Sequence, residues 1–186
     1  MVYLNPNWQL ITELYSATFC IATRNIPMKM ILLFNIFLIC ASYGEHLTDT
    51  MQPFTAKVIK IVDGDTYDVL TNDKRSIRIR MNGIDAPEKK QPFGQKSKEK
   101  LASLCAGQEL KIIPHGYDRN KRMLADAINK LGQNINLEMV KSGYAWHYKK
   151  YSKDSALALA EINARADRIG LWADPNPIEP WNWRKK

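Results

Sequence analysis

Three strand-like runs separated by short turns fill residues 56–81, and they leave this part of the chain little choice but a tightly wound β-meander. Ala56-Lys57-Val58-Ile59-Lys60-Ile61-Val62 is rich in β-branched residues with partial alternation. Asp63-Gly64-Asp65 turns the chain, Thr66-Tyr67-Asp68-Val69-Leu70 returns it, and Thr71-Asn72-Asp73-Lys74 turns it again. In Ser76-Ile77-Arg78-Ile79-Arg80-Met81, a period of two sends Ile77, Ile79 and Met81 to one face and Arg78 and Arg80 to the other. The expectation is a three-stranded meander that carries arginines on its non-core face.

Beyond Pro87, a loop at Gln91-Pro92-Phe93-Gly94 leads into a helix expected from Gln95 to Ala106, with Leu101, Leu104 and Cys105 on its apolar face and a stop at Gly107. Glu109 to Pro114 reads as a fourth strand and Arg122 to Ile128 as a fifth. A short helix follows from about Asn134 to Ser142. A longer one is expected from about Lys153 to Ile169, capped by Ser152 and stopped by Gly170. Five strands with helices in this order give an α+β fold with a mainly β core: a small Greek-key barrel of the OB type with about three helices.

The N-terminal part has a different character. Met28-Lys29-Met30 precedes the apolar run Ile31 to Cys40 and the small residues Ala41 and Ser42, and polar sequence begins at Glu45. A basic start, about ten apolar residues and a small-residue exit describe a secretory signal. A membrane span needs about 20 residues, more than this run supplies. Cleavage after Ser42 or Gly44 is expected, with Met28 or Met30 as the start that fits a signal of this length. The product is then secreted or periplasmic; an uncleaved run 28–44 is the membrane-anchored alternative. The organisation read from the sequence is a leader over 1–44, a linker over 45–55, the barrel domain over 56–172 and a tail over 173–186.

Of Cys20, Cys40 and Cys105 only the last survives such cleavage, so no internal disulfide is expected, and Cys105 reads as a small core residue. Residues 1–44 hold two of the 27 basic and one of the 19 acidic residues, so the remaining chain keeps a net charge of +7. That excess favours a polyanionic partner.

Where the carboxylates fall narrows this further. Asp63, Asp65, Asp85 and Glu88 flank Arg75, Arg78 and Arg80, and a second basic cluster follows at Arg119, Lys121 and Arg122. Hard divalent cations prefer carboxylate oxygens, and guanidinium forks match phosphate oxygens. Cleaving a phosphodiester with metal assistance takes a cation, a base for water and donors for developing charge. Asp65 and Asp85 are the candidate ligands, and Glu88, on a turn stiffened by Pro87, is the candidate base. Taken singly, an Asp-Gly pair is a hairpin turn and an exposed strand arginine is solvated. The order of the set gives it meaning. His115 and His147 read as packing or surface residues, and Trp172 as core.

Asp63-Gly64-Asp65-Thr66, Ile79 through Glu88, Asp118-Arg119 through Arg122, Gly143-Tyr144-Ala145-Trp146 and Gly170-Leu171-Trp172-Ala173-Asp174-Pro175 together resemble the staphylococcal-nuclease-like thermonucleases, over Ala56 to Trp183. The resemblance implies an OB barrel and a monomer that cleaves DNA and RNA to 3′-phosphate ends. It implies one calcium ion, held by Asp65, Asp85 and the main-chain oxygen of Ala86, although the same oxygens suit magnesium or manganese. It implies Glu88 as general base and Arg80 and Arg122 as the arginines on the scissile phosphate. The sequence departs from the family at Ala86, where many members have Thr, and at Asn120-Lys121, where an aromatic and a glycine usually precede the arginine. Tyr148 and Tyr151 do not align uniquely with the family's substrate-stacking tyrosines. The alternative is a basic barrel that binds nucleic acid without cutting it.

Overall fold

The computed structural model describes residues 51–185. The expected signal, the leader and most of the linker lie outside the described residues. Five strands close a barrel: β1 (Phe54–Ile61), β2 (Thr66–Thr71), β3 (Ser76–Met81), β5 (Glu109–Tyr117) and β6 (Met123–Ile128), in the order β1-β2-β3-β6-β5. Neighbours are antiparallel except β3 and β6, which run parallel, and β5 returns to β1 to close the ring. This is the Greek-key connectivity of the OB-fold. Closure leaves the barrel no free edge.

Alternation fills the interior with Ala56, Val58, Tyr67, Val69, Ile79, Met81, Leu110, Ile112, Ala125 and Ala127, all buried. Two irregularities interrupt it. Ile59 is an extra residue in β1, between the pairs Val58↔Val69 and Lys60↔Asp68, and it stands half-exposed. In β5 the register shifts between Pro114 and Gly116, with Gly116 at φ 145. The strand therefore runs on to Tyr117, past the proline expected to end it. Proline lacks the N–H a ladder needs, and a bulge is where that loss is tolerated.

Four helices are present among the described residues: α1 (Gly94–Cys105), α2 (Ile135–Lys141), α3 (Ser155–Ala166) and the short α4 (Pro180–Trp183); Gly170–Ala173 forms a 3-10 turn. α1 buries Ser97, Leu101 and Cys105, and α2 buries Ile135, Met139 and Val140. The Asn134 side chain accepts from Leu137 N–H and caps α2. α3 starts at Ser155, later than the sequence suggests, because the Asp154 carboxylate, not Ser152, accepts from Ala156 and Leu157 N–H. The fourth helix falls in the segment expected to be a tail. It contributes Trp181 to a cluster with Trp146 and Trp172, over which Arg165 lies 3.9 Å from the Trp172 ring centre.

Two short strands complete the fold. β4 (Ile84–Asp85) pairs with β7 (Trp146–His147), outside the barrel, and this ladder fixes Asp85 opposite Trp146.

Candidate active site

The site forms where β2 begins and β3 ends. Thr66 is in register with Arg80, and Met81 N–H donates to the carbonyl of Asp65 at 2.9 Å, so the Asp63-Gly64-Asp65 turn is tied to the end of β3. Gly64 is required by contact: a Cβ there would lie 2.8 Å from both the Ala86 and the Ser97 Cβ atoms. That close approach brings Asp65 against Ala86, whose N–H donates to Asp65 Oδ2 at 2.7 Å.

Arg80 is the hub. Its Nη1 donates to the carbonyls of Met81 and Ile84 at 3.0 and 2.9 Å, which fixes the guanidinium plane. Its Nη2 then faces two carboxylates, Asp85 Oδ1 at 2.8 Å and Asp65 Oδ2 at 3.1 Å. Arg80 is buried although the sequence places it on the outer face of β3, because β4 and the loop after it cover that face. Asp85 has a side-chain exposure of only 1%. Glu88, three residues on, is half-exposed, and its N–H donates to Gln91 Oε1 at 3.0 Å.

The carboxylates outnumber the cations around them. Asp63, Asp65, Asp85 and Glu88 gather near Arg80 and Arg184, which reaches in from the end of α4 to Asp85 Oδ2 and Glu88 Oε1, both at 2.6 Å. Burial, and next the charge of Asp65, push Asp63 up to about 6. Burial likewise raises Asp85, opposed by its hydrogen bond from Arg184 and by the charge of Arg80. Carboxylates held against their own titration are what a hard cation relieves. Among the described residues no three His, Cys, Asp or Glu side chains converge as a metal cage. The donor set is two carboxylates, to which main-chain and water oxygens would be added, and this fits a calcium or magnesium ion more than zinc.

Arg122 stands apart from this cluster. It precedes β6, whose Met123 and Leu124 pair with Ile79 and Arg80, so the ladder puts it on the same sheet face as Arg80. Its guanidinium is engaged by Asp118, with Nε at 2.8 Å and Nη2 at 2.7 Å from Oδ2, and Asp118 Oδ1 accepts from Arg122 N–H at 2.9 Å. Lys121 adopts φ 59, the left-handed conformation that glycine favours. The loop therefore bends at that position without a glycine.

Of the sequence-predicted residues, the structure gathers Asp65, Arg80, Asp85, Ala86 and Glu88 in one place, while Arg122 is held apart from them on the turn salt-bridged by Asp118. Sequence reasoning missed Arg184 and Gln91 as members of the site, and it counted Asp63 among the carboxylates without giving it a role. Pro180 before an aromatic pair is a helix-start signal, but nothing in residues 180–184 tells where that helix docks. His147 is buried in β7, where burial lowers its pKa, and His115 Nε2 lies 2.8 Å from Asp126 Oδ2; neither joins the cluster.

The chain is thus a five-stranded OB barrel with carboxylates and arginines assembled where β2 begins and β3 ends, and its similarity to known proteins gives its family. Residues 78–174 match the family described as Staphylococcal nuclease homologue. An uncharacterized endonuclease of Haemophilus influenzae is 52% identical over 132 residues, covering 71% of this chain and 74% of that protein. The micrococcal nuclease of Shigella flexneri is 43% identical over 142 residues, with 71% and 81% covered. An uncharacterized endonuclease of Escherichia coli O157:H7 is 39% identical over 130 residues, with 70% and 84% covered. The chain belongs to the staphylococcal nuclease homologue family.

Proposed function

We propose that the chain is a metal-dependent endonuclease that hydrolyses phosphodiester bonds of DNA and RNA, leaves 3′-phosphate ends and works outside the cytoplasm. The observation that carries this reading is the single Arg80 nitrogen shared by Asp65 and Asp85, with Glu88 one turn away. The similarity to proteins named endonuclease and micrococcal nuclease supports it.

Asp65 and Asp85, with the Ala86 main-chain oxygen, would hold the cation, calcium in the first instance. When bound, it supplies charge to polarise a phosphoryl oxygen. The residues of the chain do the rest. Glu88 takes a proton from the attacking water as the new P–O bond forms, and the P–O5′ bond breaks to leave a 3′-phosphate and a 5′-hydroxyl that is protonated from solvent. Arg80, already oriented by two carbonyls, donates to the non-bridging oxygens as they gain charge. Arg122 joins it by exchanging the Asp118 carboxylate for phosphate, since both accept the same guanidinium fork.

Replacing Glu88 by Gln keeps the shape and removes the base. Turnover on single-stranded DNA is expected to fall by about 10²–10⁴. An unchanged rate would remove Glu88 from the role.

A further inference from the structure

We propose that Arg184 is a positioning residue of the active site, delivered by α4 to hold Glu88 against Asp85 in the geometry from which Glu88 accepts its proton. This rests on the reading of Glu88 as the base. Arg184 lies beyond residues 78–174, the segment matched by the family, so the family likeness says nothing about it.

The contacts form a clamp. Arg184 Nη1 donates to Glu88 Oε1 at 2.6 Å and to Asp85 Oδ1 at 3.3 Å, and Nη2 donates to Asp85 Oδ2 at 2.6 Å. One guanidinium therefore joins a buried carboxylate, already oriented by Arg80, to one that is half-exposed. A half-exposed glutamate on three rotatable bonds samples many rotamers, and a planar fork fixed at its other end removes that freedom.

α4 is itself held at the site from two sides. Trp181 stacks on Tyr148, with ring centres 5.0 Å apart and planes within 1°, and meets Trp146 edge-on at 5.7 Å. Gln91 Nε2 donates to the carbonyl of Ile178 at 2.6 Å, while its Oε1 accepts from Glu88 N–H. Gln91 thus joins the loop that carries Glu88 to the segment that carries Arg184. These contacts place both ends of the clamp from the same framework.

The test is a double-mutant cycle on the full chain, with Arg184→Ala, Arg184→Lys, Glu88→Gln and the Glu88→Gln/Arg184→Ala pair assayed on single-stranded DNA. Calorimetric titration of the DNA-free proteins with calcium chloride runs beside it. Arg184→Ala is expected to lower kcat by about 10- to 100-fold, the cost of a misplaced catalytic group, with KM within about threefold of the original. Arg184→Lys recovers part of the loss, because an ammonium reaches one carboxylate but cannot fork across two. In the Glu88→Gln background the same change costs less than about threefold, because residues acting as a unit are not additive. Calcium affinity is retained or improved, since the removed charge repels a cation at Asp85.

A kcat equal to or above that of the original would overturn the proposal and make Arg184 idle or obstructive. Raised KM with intact kcat would make it a substrate contact instead. An equal loss in the Glu88→Gln background would show action independent of Glu88, and calcium affinity falling in step with kcat would make it part of the cation site. Should Arg184→Ala fail to fold, the partial effect of Arg184→Lys and its coupling to Glu88→Gln decide the matter. Full activity of Glu88→Gln alone is a separate failure, which removes the base assignment and the clamp with it.

Discussion

At the scale of single residues the site is a problem of approach and charge. Asp65 and Ala86 meet only because Gly64 has no Cβ, and Asp85 tolerates burial only because two guanidiniums face it. Lys121 shows how a departure from the family pattern is accommodated. It takes the left-handed φ that a glycine would take freely, at a cost of roughly 1–2 kcal/mol for a residue with a Cβ. Lys121→Gly gives up part of that relief to unfolded-chain entropy, so a net stabilisation of about 0.5–1 kcal/mol is expected in urea unfolding. A loss of stability would mean that the Asp118–Arg122 turn depends on the lysine side chain. The grouping of Asp65, Arg80, Asp85 and Glu88 was legible from sequence because they fall within one short stretch of chain. Arg184 was not, because it is 96 residues from Glu88, and its contact depends on where α4 docks.

At the scale of elements, two junctions hold the parts in register. The end of α2 meets the 3-10 turn backbone to backbone: a Cβ on Gly143 would lie 2.2 Å from the Ile169 carbonyl oxygen, and one on Gly170 2.3 Å from that of Gly143. Both glycines have positive φ, 70 and 61, and Leu171 N–H donates to the Gly143 carbonyl at 2.8 Å. Gly143→Ala is therefore expected to cost at least about 2–4 kcal/mol, combining left-handed strain with overpacking against atoms that cannot rotate away. A melting temperature within a degree of the original would contradict this reading. The second junction is the β2–β3 ladder, where Arg78 Nε and Nη2 hold Asp68 bidentately at 2.7 and 3.0 Å. The Arg78 hydrogen bond holds the Asp68 carboxyl below the usual carboxylate range. A folded-state value below the unfolded one of about 3.9 gives stability that is complete above that pH and is lost as pH falls through the folded value. Arg78 is half-exposed, so solvent screens the pair and its contribution is small. Asp68→Asn is expected to lose that contribution near neutral pH, with the difference closing in acid; a gap that widens in acid would reverse the sign. The ladder was legible because alternation sets it. The Pro114 bulge and the Asp154 cap were not, because each depends on which of two local options the tertiary contacts favour.

At the scale of the whole molecule, a closed barrel presents one end as a chemical site. Strand order puts the β1–β2 turn, the end of β3 and the start of β4 at that end, and Arg184 reaches it from the end of α4. The chain carries a net charge of +8, which favours a polyanionic partner, while the candidate site itself is locally acidic. The barrel was legible from five strand-like runs in the right order. The fourth helix was not, because four residues carry too little periodicity to announce it. The most direct test of the account is degradation of single-stranded DNA by the full chain, in calcium and after chelation, beside an Asp65→Ala variant. Cleavage is expected to require both the cation and Asp65. Cleavage that survives chelation and the loss of Asp65, or tight DNA binding with no cleavage under calcium, magnesium or manganese, would contradict it.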